Sequence, residues 1–107
     1  MQEKALRKIF LGFIQLHILH HAYQMPFYGT WMIEELKEHG YSISPGTLYP
    51  TLHSLEKDGL LLRDNRNVAG KIRKYYSITD AGTNVLKKGK KQALELIKEL
   101  EEWEGEN

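Results

Sequence analysis

The segment from residue 3 to residue 23 constrains this chain most, because read as a helix it is apolar on most of its circumference. Leu6, Ile9, Phe10, Phe13, Leu16 and His20 recur at spacings of three and four. Leu11, Ile14, Ile18 and Ala22 repeat that period about a quarter-turn away. A helix with two apolar stripes must be covered on more than one side. The chain has 107 residues, which is room for one core and too little for two. One stripe is therefore expected to meet the core, and the other a second copy of the chain.

Local signals divide the rest. Met25-Pro26 ends the first helix, because proline biases its predecessor away from helix. Residues 28–39 form a second helical segment, with Trp31 or Met32, Glu35, Leu36 and His39 at helical spacing and Gly40 as the stop. Trp31 reads as core. Ser44-Pro45 is an N-cap followed by proline at the first helical position. Leu48, Leu52 and Leu55 give this third helix one narrow apolar stripe, and Gly59 closes it. Pro50 either kinks a helix that begins at Pro45, or costs little if Thr47 is the cap instead. Leu60–Arg63 and Arg73–Ile78 read as strands, Tyr75 and Tyr76 supplying β-propensity. The turn-rich residues 64–71 between them read as a long basic loop.

Thr79 is placed to cap a last helix from Asp80 to about Trp103, with Asp80 near its N-terminal dipole. Gly82, Leu86, Gly89, Ala93, Leu96, Leu100 and Trp103 alternate by four and three, a near-heptad seam that packs along another helix. Its glycines cost about 1 kcal/mol each in propensity and admit close approach. The terminal Gly105–Asn107 is expected to fray. The expected fold is mainly α with a small β-hairpin: a winged helix-turn-helix over residues 1–79. Residues 80–107 are expected to add a helix that packs along another helix within the same structural domain.

Composition removes several functions. There is no cysteine, which excludes disulfides, thiolate zinc sites and thiol catalysis. The apolar-leaning run Ile9–Met32 is broken by Gln15, His17, His20, His21, Gln24 and Pro26, a poor membrane span. The N-terminus lacks the small-residue cleavage site of a secretory signal. A cytoplasmic protein with no membrane partner is expected. No nucleophile elbow, glycine-rich phosphate loop or paired carboxylates off the helix surfaces is present, so no enzyme and no cofactor is expected.

Charge is unevenly spread. Net charge is +1, yet residues 60–91 carry nine lysines and arginines against Asp64 and Asp80, and the remainder is net acidic. A one-sided positive field attracts polyanions. On the third helix, the face opposite the leucines holds Gly46, Pro50, His53, Ser54 and Lys57, flanked by Thr47 and Tyr49. Small residues allow close approach to a major groove, and hydroxyls and imidazole reach base edges. A plain solvated helix would carry more Glu and Lys there. Arg66, Lys71, Arg73 and Lys74 on the hairpin are suited to phosphates, which position a protein without reading sequence.

Pro-Gly-Thr-Leu-Tyr-Pro (Pro45–Pro50), Leu-Glu-Lys-Asp-Gly-Leu (Leu55–Leu60) and Lys-Tyr-Tyr-Ser-Ile-Thr with Gly82 together resemble the PadR family of transcriptional regulators, in its short form with a single C-terminal helix. Pro26–Leu36 resembles the family's entry into its second helix. The resemblance covers about residues 9–82. It implies a homodimeric regulator, usually a repressor, with its recognition helix at about 45–58 in the major groove of a palindromic double-stranded operator. The basic wing at 63–74 would lie on the backbone. Carried over by position, Thr47, Tyr49, His53 and Ser54 belong to the reading helix, and Lys71, Arg73 and Lys74 to the wing. The short form further implies that residues 80–107 are a C-terminal dimerisation helix packed on the N-terminal helix, with Phe10, Phe13, Leu86, Ala93, Leu96, Leu100 and Trp103 as the expected dimer interface. Trp103 either packs in the seam or lines a pocket for a small hydrophobic or aromatic effector, as in some short members. The alternative is a winged-helix module that binds protein and no DNA.

His17, His20 and His21 lie at i, i+3 and i+4. The His17–His21 pair is half of a metal site, but no carboxylate nearby in sequence completes it and the resemblance implies none. No metal is expected there.

Overall fold

A computed structural model describes residues 2–103. Its elements in order are α1 (Gln2–Gln24), β1 (Phe27–Tyr28), α2 (Gly29–Glu38), α3 (Pro45–Lys57), β2 (Leu61–Val68), β3 (Lys71–Ile78) and α4 (Asp80–Glu101). The three strands form one antiparallel sheet in the order β1-β3-β2. This is the expected winged helix-turn-helix followed by one long helix. The residues expected to fray lie outside the described chain.

The fully buried core draws on every element except α4, whose Leu86 packs against its edge. Ile14, Ile18, Leu19 and Ala22 of α1 meet Met32 and Leu36 of α2, the Leu48/Leu52/Leu55 stripe of α3, and Phe27, Leu61 and Tyr76 of the sheet. Only one stripe of α1 is covered in this way. Leu6, Ile9, Phe10 and Phe13 remain 41–53% exposed, so the unsatisfied face anticipated from the sequence is real. The Cα radius of gyration is 15.6 Å, against about 13 Å for a compact domain of this length.

Two local expectations are corrected, and of the two caps open for α3 the Ser44 reading holds. Residues 27–28 open α2 through a short strand rather than a helical turn. Pro26 holds the chain extended, and Phe27 is then buried against Tyr76 with ring centroids 5.8 Å apart. The long basic loop is instead an eight-residue ribbon that pairs from Leu61↔Ile78 to Val68↔Lys71. Its turn is Ala69-Gly70, both at positive φ (54° and 82°), the geometry that matches strand twist in two-residue hairpins. The Gly70 N–H donates to Asn67 Oδ1 at 3.1 Å and closes that turn. Thr47 is not the cap of α3. The Thr47 and Leu48 N–H groups already donate to the Ser44 carbonyl at 3.0 and 2.9 Å, so the helix starts at Pro45 and Pro50 lies inside it. Ser44 occupies the cap position without a side-chain bond to the backbone.

Thr79 caps α4 as expected and does more. It accepts from the Gly82 N–H at 3.0 Å and donates to the Gly59 carbonyl at 2.6 Å, tying α4 to the end of α3. The two seam glycines serve contacts within the protomer. A Cβ on Gly82 would strike the Leu60 carbonyl, and one on Gly89 would meet Leu16 Cδ1 at 2.7 Å. Small residues thus let α4 lie against the wing root and against α1.

Candidate nucleic-acid interface

The outer face of α3 is built as its wheel predicts. Leu48, Leu52 and Leu55 point inward and are buried, which leaves Thr47, Pro50, His53, Ser54 and Lys57 exposed. Thr51 is held back, its hydroxyl donating to the Thr47 carbonyl at 2.8 Å. Tyr49 behaves differently from its neighbours. It is half-buried, and its ring lies so close to Gly29 that a Cβ there would overlap it. Tyr49 therefore fastens α3 to the start of α2, which requires glycine at position 29. The exposed set on α3 is then small and uncharged apart from Lys57 at its far end.

The wing carries its cations on both faces. Residues paired across an antiparallel ladder share a face, and the next pair takes the other. Arg66 opposes Arg73, and Lys71 opposes Val68, on one side; Lys74 opposes Asn65 on the other, the side of Tyr76. All four bases are exposed. Two arginines directly opposite one another repel. They are steadied by aromatic rings: Arg66 lies 4.6 Å from the Tyr75 ring centroid and Arg73 lies 4.3 Å from that of Tyr28. The two tyrosines meet edge to face at 5.5 Å. Each cation–π contact at an exposed site is worth about 0.5–1 kcal/mol. Arg66 also bonds Asp64 Oδ2 at 3.1 Å, a surface pair of small energetic weight. Tyr28 and Tyr75 were not among the sequence-derived site residues. Only the strand register, with Tyr28↔Tyr75, places them beneath the arginines. Ile72, between Lys71 and Arg73, is 73% exposed.

The residues expected at a dimer face divide into two groups. Leu86 is half-buried against the protomer's own core, and Ala93 is half-buried beside it in the α1–α4 groove. Phe10, Phe13, Leu96, Leu100 and Trp103 are exposed, as are Leu94 and Ile97. Phe13, Leu94, Leu96, Ile97 and Leu100 wall a groove of about 770 Å³ between α1 and α4, together with Leu16 and Tyr23; Phe10 and Trp103 are not among its walls. Among the described residues, no helix is long and apolar enough to cross a membrane.

Comparison with known proteins accords with this geometry. The sequence matches the Transcriptional regulator PadR-like family over residues 18–88. It is 48% identical over 87 residues to the transcriptional regulator Rv3488 of Mycobacterium tuberculosis, covering 81% of each chain. The fold superposes on the crystal structure of a PadR family transcriptional regulator from Eggerthella lenta with a TM-score of 0.79 and 32% identity, over 92% of this chain and 87% of that one. It is also similar to a PadR-like transcriptional regulator from Bacillus cereus, with a TM-score of 0.73 and 28% identity over 94% and 99% of the two chains. The helix-turn-helix, the ribbon and the single C-terminal helix place the chain in the PadR-like family of transcriptional regulators.

Proposed function

We propose that the protein is a cytoplasmic homodimeric repressor that binds a palindromic operator in double-stranded DNA. One observation carries the reading: the exposed face of α3 is small and nearly uncharged, while the adjoining ribbon is basic. That division matches the work of a DNA reader, with base edges approached by Thr47, Pro50, His53 and Ser54 and phosphates met by Lys57, Arg66, Lys71, Arg73 and Lys74. Tyr49 supports the reading helix from behind. Two copies joined through the exposed apolar face of α1 and α4 would set their α3 helices about 34 Å apart, one turn of duplex. The same apolar groove is the place for a small hydrophobic or aromatic effector.

The test is an anisotropy titration of genomic duplexes recovered with the protein, repeated across salt concentrations. A dimer whose five cations per protomer each meet one phosphate neutralises about ten and gives a log–log salt slope near −9. The Arg66→Ala/Arg73→Ala variant removes two cations per protomer and should flatten that slope by about 3 to 4. His53→Ala should narrow the gap between operator and random DNA instead. Absence of duplex affinity at low salt would overturn the reading in favour of a protein-binding winged helix.

A further inference from the structure

Two pairs of side chains, each one helical turn apart, face one another across the α1–α2 contact. His17 and His21 project from α1; Glu35 and His39 come from the last turn of α2 and its cap. The three imidazoles each offer a ring nitrogen within 4.8 Å of the others. His17 and His39 stack with centroids 4.8 Å apart, and His21 lies 5.7 Å from His39. Glu35 Oε2 sits 3.0 Å from His39 Nε2 and 3.6 Å from His21 Nε2. His21 is 8% exposed, and its Nε2 has no hydrogen-bond partner among the described residues.

Ordinary packing does not account for this arrangement. A buried ring nitrogen without a partner costs about 1–3 kcal/mol, and three adjacent imidazoles repel when protonated. An apolar side chain at position 21 would fill the space without either cost. What three neutral imidazoles and a carboxylate can do together is donate lone pairs to one cation. We propose that His17, His21, His39 and Glu35 form a binding site for one divalent transition-metal ion of the zinc type.

The donor set selects the class. Imidazole nitrogen with one carboxylate oxygen suits Zn²⁺ and its neighbours, whereas Mg²⁺ and Ca²⁺ require oxygen ligands. With metal–nitrogen bonds of 2.0–2.1 Å, ligand atoms around a tetrahedral ion lie about 3.4 Å apart. The two Glu35 separations already bracket that value. The widest imidazole pair must close by about 1.4 Å, and the His39 side chain, 43% exposed beyond the end of α2, has room to turn inward. Trp31 packs edge-on to His21 at 5.7 Å and Tyr41 edge-on to His17 at 5.4 Å, so aromatic walls shield two of the four donors from water. A bound ion would clamp α1 to α2. His20, on the neighbouring exposed position, lies outside the donor set.

The experiment is titration of the chelator-stripped full chain with Zn²⁺ by calorimetry, and with Co²⁺ by visible absorption. The expected result is one ion per chain with Kd of about 1 µM or tighter, and with Co²⁺ the intense bands of a tetrahedral site. His39→Gln, at an exposed position that leaves the core intact, should weaken Zn²⁺ binding at least tenfold and abolish those bands. His17→Gln should do the same, and His20→Gln should change neither. Lack of saturable binding to the wild-type chain, or equal affinity of wild type and His39→Gln, would overturn the site. The measurement uses no DNA, so its outcome is independent of the operator-binding reading.

Discussion

Leu96→Asp tests the assembly on which paired DNA recognition depends. Leu96 is 45% exposed in the protomer, so a partner can still bury about half of its side chain. Full burial of a leucine is worth about 1.5–3 kcal/mol, which leaves about 1 kcal/mol per protomer and about 2 per symmetric dimer. The substitution also sets two carboxylates in an apolar seam. Burying even one without a partner costs about 3 kcal/mol or more. The combined penalty of about 5 kcal/mol raises the dimer Kd by more than a thousandfold. Sedimentation equilibrium at micromolar concentration should then report the 12.5 kDa chain in place of its dimer. Circular dichroism should be unchanged, because Leu96 lies outside the protomer's buried core. Gln92→Asp, an exposed position on the same helix, controls for the added charge and should stay dimeric. A Leu96→Asp protein that remains dimeric at the wild-type concentration would refute the α1–α4 face as the interface.

Further perturbations test the fold and its titration. Gly82→Ala should lower stability by about 1–3 kcal/mol in urea unfolding, because its methyl meets the Leu60 backbone carbonyl, which cannot step aside. Gly89→Ala should change stability by less than about 1 kcal/mol, since the flexible tip of Leu16 can move and helix propensity improves by a similar amount. Gly82→Ala matching Gly89→Ala would show that the α4–wing contact is looser than described. The Tyr76 hydroxyl is buried with no partner among the described residues, and burial pushes its pKa up. Tyr76→Phe should therefore match or exceed wild type in thermal midpoint; a fall of several degrees would reveal a bond made by that hydroxyl. Burial holds His17 and His21 below the ordinary imidazole pKa, with neighbouring histidines adding to the effect on both and Glu35 opposing it. The folded state thus binds fewer protons than the unfolded chain. Stability of the metal-free protein should be full above about pH 6.5 and fall on acidification toward about pH 5.5, where carboxylates remain ionised. The His17→Gln/His21→Gln variant should lose much of that dependence, and a wild-type midpoint that rises on acidification would contradict the sign.

Helix order, the inward stripe of α3, the Thr79 cap and the two-sided character of α1 were all legible in the residues. Each is a local matter: periodicity of 3.6, a hydroxyl at a helix start, or more apolar surface than one core can cover. The linked motifs around Pro45–Leu60 and Lys74–Gly82 carried the family as well. Strand β1 and the full length of the wing were not legible, because two-residue pairing and a ladder of polar residues leave no period in the sequence. Tyr49 sat on the right helix at the right angle, yet its large ring found a glycine to pack on, which a wheel of one helix does not contain.

Register decided the rest of the wing, since only Arg66↔Arg73 and Tyr28↔Tyr75 show two guanidiniums stacked on two phenols from separate strands. The histidines make the same point most sharply. Within α1 they amount to an incomplete pair, and Glu35 and His39 are more than a dozen residues further along. Bringing those four groups together is the work of the buried contact between α1 and α2, driven by Ile18, Met32 and Leu36. Apolar burial has no regard for what polar groups it carries into contact, so chemistry formed between elements exists only once the core has closed.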